Sequence, residues 1–368
     1  MNRSSTIEPR VLRYADVATA PLDGLRQAAL AAITRSQHLT RVVARRDARV
    51  PFIATAQIVL LLAVTVTRPL WLFVLGPIVL GIPHLASDIR YLILRQRVAR
   101  EVRLVACAGA AIFLGLRLLD LFHAAPAHSA GLEIGTAVAW IAVAISSGAH
   151  ERKSRAPLVA LPFLLALGTL AMLHAGTTRI VFAHAHNVIG VAAWVVLFRK
   201  NKRAALLPGI ALALAITLLL SGAALPFIGK AAFTSFGFDL SFVGRYLAPG
   251  TSPRVAAAVA LSFVFLQSVH YATWLVWIPQ DNLPGEGTFT FRMTARSLLT
   301  DFGLPALMIL GVLAIALASA AAFDARRAVA TYMSLATFHG YLEIALLAYF
   351  AARGSKAARA ASSVRSTT

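Results

Sequence analysis

The sequence predicts an all-α fold, a polytopic transmembrane helix bundle of about ten spans, with eight to ten compatible with the pattern. Three observations predict it. Of 368 residues, 58% are hydrophobic and 14% charged, whereas soluble chains carry about 25% charged residues. Long apolar runs recur from Pro51 almost to the C-terminus, so a single signal or anchor does not account for them. The cations cluster in short segments between those runs, as the positive-inside rule requires.

The elements follow in order. Residues 1–50 hold nine Arg against four acidic residues and no run long enough to span. Leu22, Leu25, Ala29 and Ile33 recur at helical spacing, so part of this basic arm is expected to lie along the membrane surface. Glu8, Asp16 and Asp23 argue against a transit peptide. The bundle occupies 51–352, with spans at 51–67, 69–95, 103–122, 132–149, 157–175, 179–198, 204–227, 255–278, 303–323 and 328–352. A basic tail, 353–368, closes the chain. Loops with Arg95 and Arg103, with Arg152-Lys153, with Arg199 to Arg203 and with Arg292 and Arg296 alternate with cation-poor ones, His123–Glu133 among them. The alternation places both termini in the cytoplasm, across a bacterial-type inner membrane. It weakens at Asp324-Ala325-Arg326-Arg327, which falls outside in this scheme.

The net charge, 35 − 15 = +20, would indicate nucleic acid in a soluble protein. Here the loops account for it, and no nucleic-acid partner is expected. The one cysteine, Cys107, excludes an internal disulfide and a thiolate metal cluster. Walker, GxSxG and CxxC motifs are missing, as is the HxxxH or HxxHH set of membrane desaturases.

Ionisable residues inside four spans then stand out, because such groups are costly in lipid and face the bundle interior. His84 and Asp88 share a helix face in the second span, as do His339 and Glu343 in the tenth. The sixth span carries His184 and His186, about 200° apart on a helix, so one of them is expected to face inward. The eighth carries His270. These four spans run in one direction. At ~1.5 Å per residue, His84 and His270 lie roughly 20 Å below the outer boundary, His339 roughly 16 Å and His186 roughly 10 Å. A lone intramembrane His usually serves an interhelical hydrogen bond; four at compatible depths point to a shared metal, with Asp88 and Glu343 as ligands, orienting groups or catalytic carboxylates. His150 reads as interfacial, and His38, His123, His128 and His174 fall outside the spans or at their ends. Tyr271, Trp274 and Trp277 read as part of an interfacial aromatic belt.

Gly81-Ile82-Pro83-His84-Leu85-Ala86-Ser87-Asp88 resembles the Gly-Leu-Pro-His-Gly-Ala-Leu-Asp motif of the Brp/Blh family of bacterial membrane β-carotene 15,15′-dioxygenases. The resemblance implies a helical membrane bundle with a non-haem iron (Fe2+) held by intramembrane histidines, His84 among them with Asp88 as its motif partner. The His184/His186, His270 and His339 segments are similar to that family's later histidine segments in order and apolar setting. This chain departs in lacking a second His and an Arg pair near His270, and in its additional spans and basic arm. The implied activity is a metal-dependent oxygenase, with O2 and a lipid-soluble, carotenoid-like substrate as partners. Two other classes fit the same residues: a transporter or proton-coupled carrier with His, Asp88 and Glu343 along its pathway, and a haem or quinone electron-transfer protein.

Overall fold

The computed structural model describes residues 9–96, 98–126, 128–229, 234–283 and 290–354. Among them are ten helices long and apolar enough to cross a membrane: Arg46–Thr67, Pro69–Leu94, Arg100–Leu121, Ser129–Arg152, Ala156–Leu173, Ala175–Phe198, Lys202–Leu220, Pro253–Asp281, Leu304–Phe323 and Ala325–Arg353. The chain is an all-α integral membrane protein. Of the expected tail, 353–368, Arg353 ends the last helix and Gly354 follows it, and the remainder lies outside the described residues.

Two spans form the core. In the eighth, 78% of the apolar window is buried, and in the tenth 61%; the ninth buries none and the fifth 6%. The reason is compositional. The ninth span is apolar all round and has no polar face to hide, whereas the eighth carries Gln267, Ser268, His270 and Thr273, which lipid would not solvate. The second, sixth and first spans pack on the eighth, and the tenth packs along the fourth, with the second and sixth beside it.

Several sequence expectations shift. The seventh span ends at Leu220 rather than 227, because Gly222 adopts a left-handed conformation (φ +72°) that stops the helix. The 228–254 connection contains a small hairpin, Thr234–Ser235 paired with Phe238–Asp239, and an eight-residue helix, Leu240–Leu247. Tyr271, Trp274 and Trp277 are not an interfacial belt. All three are buried, since the span that carries them runs through the middle of the bundle.

The arm forms two helices, Pro9–Ile33 and Gln37–Ala44. The first docks on a helix at Phe291–Phe302. The Asp23 carboxylate accepts from the backbone amides of Phe291 (2.7 Å) and Arg292 (3.2 Å), and Asp16 pairs with Arg296. Leu22 and Leu25 remain exposed, an apolar side suited to the membrane surface.

Candidate metal centre

The second span is not a uniform helix. Gly76–Leu80 and Ile89–Leu94 are π-helical, and between them Gly81–Asp88 is α-helical. Pro83 has no N–H for the carbonyl four residues back, which falls in the first π segment, so the widened turn absorbs the proline. The sixth and eighth spans widen likewise, at Trp194–Phe198 and Thr273–Trp277. In the eighth, the Ile278 amide bonds to Thr273 O, and Pro279 has no N–H to give to Trp274 O. The Ser87 hydroxyl donates to that orphaned carbonyl at 2.6 Å. One irregular turn therefore pins the second span to the eighth beside His84. The tenth span breaks at Ala336 into Ala325–Leu335 and Thr337–Arg353, three residues before His339.

These elements gather His84, His270, His339 and Glu343, all buried, with one ligand atom from each within 4.8 Å of the others. His84 Nε2 lies 3.2 Å from His270 Nε2. Asp88 Oδ2 is 3.5 Å from His84 Nε2, and Glu343 Oε1 is 3.5 Å from His270 Nε2. His186 stands beside the group, its ring centroid 5.2 Å from that of His270 and 5.4 Å from that of His339. His184 points elsewhere, with its ring edge against Phe263. Of the sequence-derived candidates, His84, His270, His339 and Glu343 converge, Asp88 and His186 flank them, and His184 stays apart. Glu343 approaches His270 rather than the His339 of its own helix face. Arg90 does not pair with Asp88, because Asp301 and Ser297 hold it.

The ring tautomers follow from the helix geometry. Nδ1 of His84 bonds to Gly81 O (3.1 Å), Nδ1 of His186 to Ala183 O (3.0 Å) and Nδ1 of His339 to Ala336 O. A carbonyl can only accept, so each Nδ1 carries the proton and each Nε2 presents a lone pair, the arrangement that outer partners impose on ligating imidazoles. Space for the His270 ring comes from Gly190 on the sixth span, where a Cβ would stand 2.8 Å from His270 Nδ1 and 3.0 Å from Trp274 Nε1.

The donor atoms fit a metal ion. Both oxygens of Asp88 and of Glu343, and His339 Nε2, are buried with no hydrogen-bond partner. Groups so buried normally have one, and leaving them bare is costly. Two nitrogens each about 2.1 Å from one ion stand about 3–3.5 Å apart at four- or six-coordinate angles, which brackets the His84–His270 separation. The centre sits deep: His84, His186, His270 and His339 are ten to seventeen residues from either end of their spans, roughly 15–26 Å along the helices.

A second buried cluster, toward the His123 end of the third span, was not apparent from sequence. Glu133 accepts from Arg117 (2.6 Å), Arg179 (2.5 Å) and the Tyr341 hydroxyl (2.9 Å), tying the third, fourth and sixth spans to the tenth two residues beyond His339. The signal that could have found it is Arg117, an ionisable residue inside the predicted third span, with Glu133 and Arg179 at the starts of the fourth and sixth.

No family model matches this chain, nor does any curated protein or solved structure.

Proposed function

We propose that this protein is an intramembrane metalloenzyme, a non-haem iron oxygenase acting on a lipid-soluble, carotenoid-like substrate. The observation that carries the reading is the buried group of His84, His270, His339 and Glu343. Its donors, three imidazoles and a carboxylate, suit a divalent transition ion such as Fe2+. The 3.2 Å between His84 Nε2 and His270 Nε2 favours a compact ion over haem, whose two axial nitrogens stand about 4 Å apart across a macrocycle. The motif around His84 supports the polyene class of substrate by its resemblance to Brp/Blh proteins.

Such an ion, when bound, supplies open coordination positions for O2 beside a substrate double bond. His84, His270, His339 and Glu343 would hold it, and Asp88 would orient His84 or balance charge. His186 flanks it, and Trp274 and Tyr271 wall the centre from water. Burial among helices excludes solvent from the reacting groups.

Elemental analysis of the purified protein tests the reading. About one transition-metal ion per chain is expected, with a spectrum lacking haem bands. A metal-free protein that binds none on titration with Fe2+ would overturn it in favour of a carrier.

A further inference from the structure

The first helix of the arm, Pro9–Ile33, turns its acidic side to the protein and its apolar side outward. Asp16 accepts from Arg296, and Asp23 from the amides of Phe291 and Arg292, so both acids face the Phe291–Phe302 helix. Tyr14, Val17, Leu22, Leu25 and Ile33 line the opposite side, within roughly 160° of the circumference and over roughly 28 Å. Tyr14 is 75%, Leu25 70% and Val17 69% exposed, so no described residue covers them. An apolar stripe of this extent marks a docking face.

Both ends of this unit are tied to spans. Phe302 is followed by Gly303 and the ninth span, and the arm runs through Gln37–Ala44 into the first span at Arg46. The stripe is thereby held at the membrane surface. Arg10, Arg13, Arg26, Arg35 and Arg41 stand against Asp16 and Asp23 in residues 9–44, and Arg292 and Arg296 against Asp301 in the docked helix. Asp301 is engaged as well, by Arg90 (2.6 Å) and Arg95 (2.9 Å). Arg13, Arg35 and Arg41 are exposed, as are the Arg292 and Arg296 side chains by about half. The outward surface is therefore apolar and cationic, with its acids withdrawn.

We propose that the arm and the Phe291–Phe302 helix form a docking surface for anionic phospholipid in the leaflet at that end of the bundle, and that lipid bound there clamps the second span. The stripe enters the boundary between headgroups and acyl chains, and the arginines reach the phosphates. A second copy of the chain would present a like-charged surface, whereas an anionic leaflet complements it. The clamp consists of Ser297 and Asp301, one turn apart on the docked helix. Each accepts from both Arg90 and Arg95, with the Tyr91 ring 5.4 Å from either guanidinium. Arg90 follows Asp88 by two residues, so the surface reaches the second span beside the metal centre. The inference is independent of the chemistry proposed for that centre.

The test uses the full chain in nanodiscs of phosphatidylcholine alone and of equal parts phosphatidylcholine and phosphatidylglycerol. Cys107→Ser removes the exposed native thiol, and a nitroxide is attached at Leu25→Cys or, away from the stripe, at Gln27→Cys. Collisions with oxygen, which concentrates in lipid, and with a water-soluble nickel chelate report depth. In the anionic mixture the Leu25 label should meet oxygen and be shielded from nickel, and the Gln27 label should show the reverse. Phosphatidylcholine alone, or Arg13→Gln/Arg35→Gln/Arg41→Gln in the mixture, should return the Leu25 label toward water. Hydrogen exchange of Pro9–Ile33 and of Ile89–Leu94 should slow together by about tenfold or more in the mixture, since each Arg near an anionic surface contributes about fivefold. Equal immersion in both lipids would overturn the anionic recognition, and a Leu25 label in water in both would overturn the docking surface. Spin–spin broadening between labels would put a second copy of the chain there instead. Slower exchange in the arm without any change at Ile89–Leu94 would overturn the clamp alone.

Discussion

His84 Nε2 and His270 Nε2 stand 3.2 Å apart although 186 residues separate them in sequence. The contact is specified from both sides. Gly81 O holds the His84 ring by its Nδ1 proton, and Gly190 leaves room for the His270 ring. With the His84 Nε2 lone pair aimed at His270 and two bare carboxylates alongside, the pair is arranged as a donor set for a cation.

Alanine at His84, His270, His339 or Glu343 should each reduce bound metal to about a tenth or less of the wild-type level, since ligands matter at least as much as their outer partners. The helices should still insert, because lipid rather than the ion stabilises the spans. Alanine at His123 or His128 should leave metal content unchanged. Metal analysis beside far-ultraviolet circular dichroism separates ligand loss from misfolding.

Asp88→Asn keeps the shape of the side chain and removes its charge. If Asp88 acts on the ion through His84, metal affinity should fall by about 10–100-fold without the near-complete loss expected of Glu343→Gln. Competition with a calibrated chelator measures both; equal losses would make Asp88 a ligand in its own right.

Gly190→Ala introduces a methyl group 2.8 Å from His270 Nδ1 and 3.0 Å from Trp274 Nε1. Either the ring or the sixth span must move, at about 1–3 kcal/mol. Weaker metal retention together with a lower midpoint of thermal unfolding is expected. Unchanged values for both would mean that the His270 ring is free to shift.

Glu133→Gln removes the carboxylate that Arg117 and Arg179 share and leaves Arg117 with Asp120 alone (3.1 Å). Losing one partner of an isolated buried pair costs about 3–5 kcal/mol, and a smaller loss is expected here because Asp120 stays with Arg117 and the Arg179 side chain is 30% exposed. Chemical unfolding in detergent should register that loss. The binding of metal should change less than with any ligand variant, because Glu133 bonds to Tyr341 and not to a candidate ligand.

The docked arm should respond to acid. The Arg296 guanidinium, hydrogen-bonded to Asp16, holds that carboxyl below its ordinary value of 3.8. The ionised carboxylate therefore favours docking fully above that ordinary value, and the contribution disappears as pH falls through the depressed one. A spin label at Tyr14 should become more mobile only below about pH 4. Asp16→Asn should abolish the transition, and a label whose mobility still changes at that pH would assign it to another group.

Composition and loop charge alone determined that the chain is a helical membrane bundle of about ten spans, because lipid requires each crossing to be a long apolar helix. They also marked the ionisable residues in the second, sixth, eighth and tenth spans, since such groups are conspicuous against an apolar background. Helical spacing placed Asp88 on the face of His84, four residues away. It could not separate His184 from His186, because that choice depends on how the sixth span is rotated against its neighbours. Nor could it show that Glu343 approaches His270 or that Glu133 gathers Arg117 and Arg179. The π turns escaped it too, and they re-aim every residue that follows them. Each of these depends on the packing of side chains from spans far apart in sequence, and a one-dimensional pattern carries no information about which faces of two helices meet.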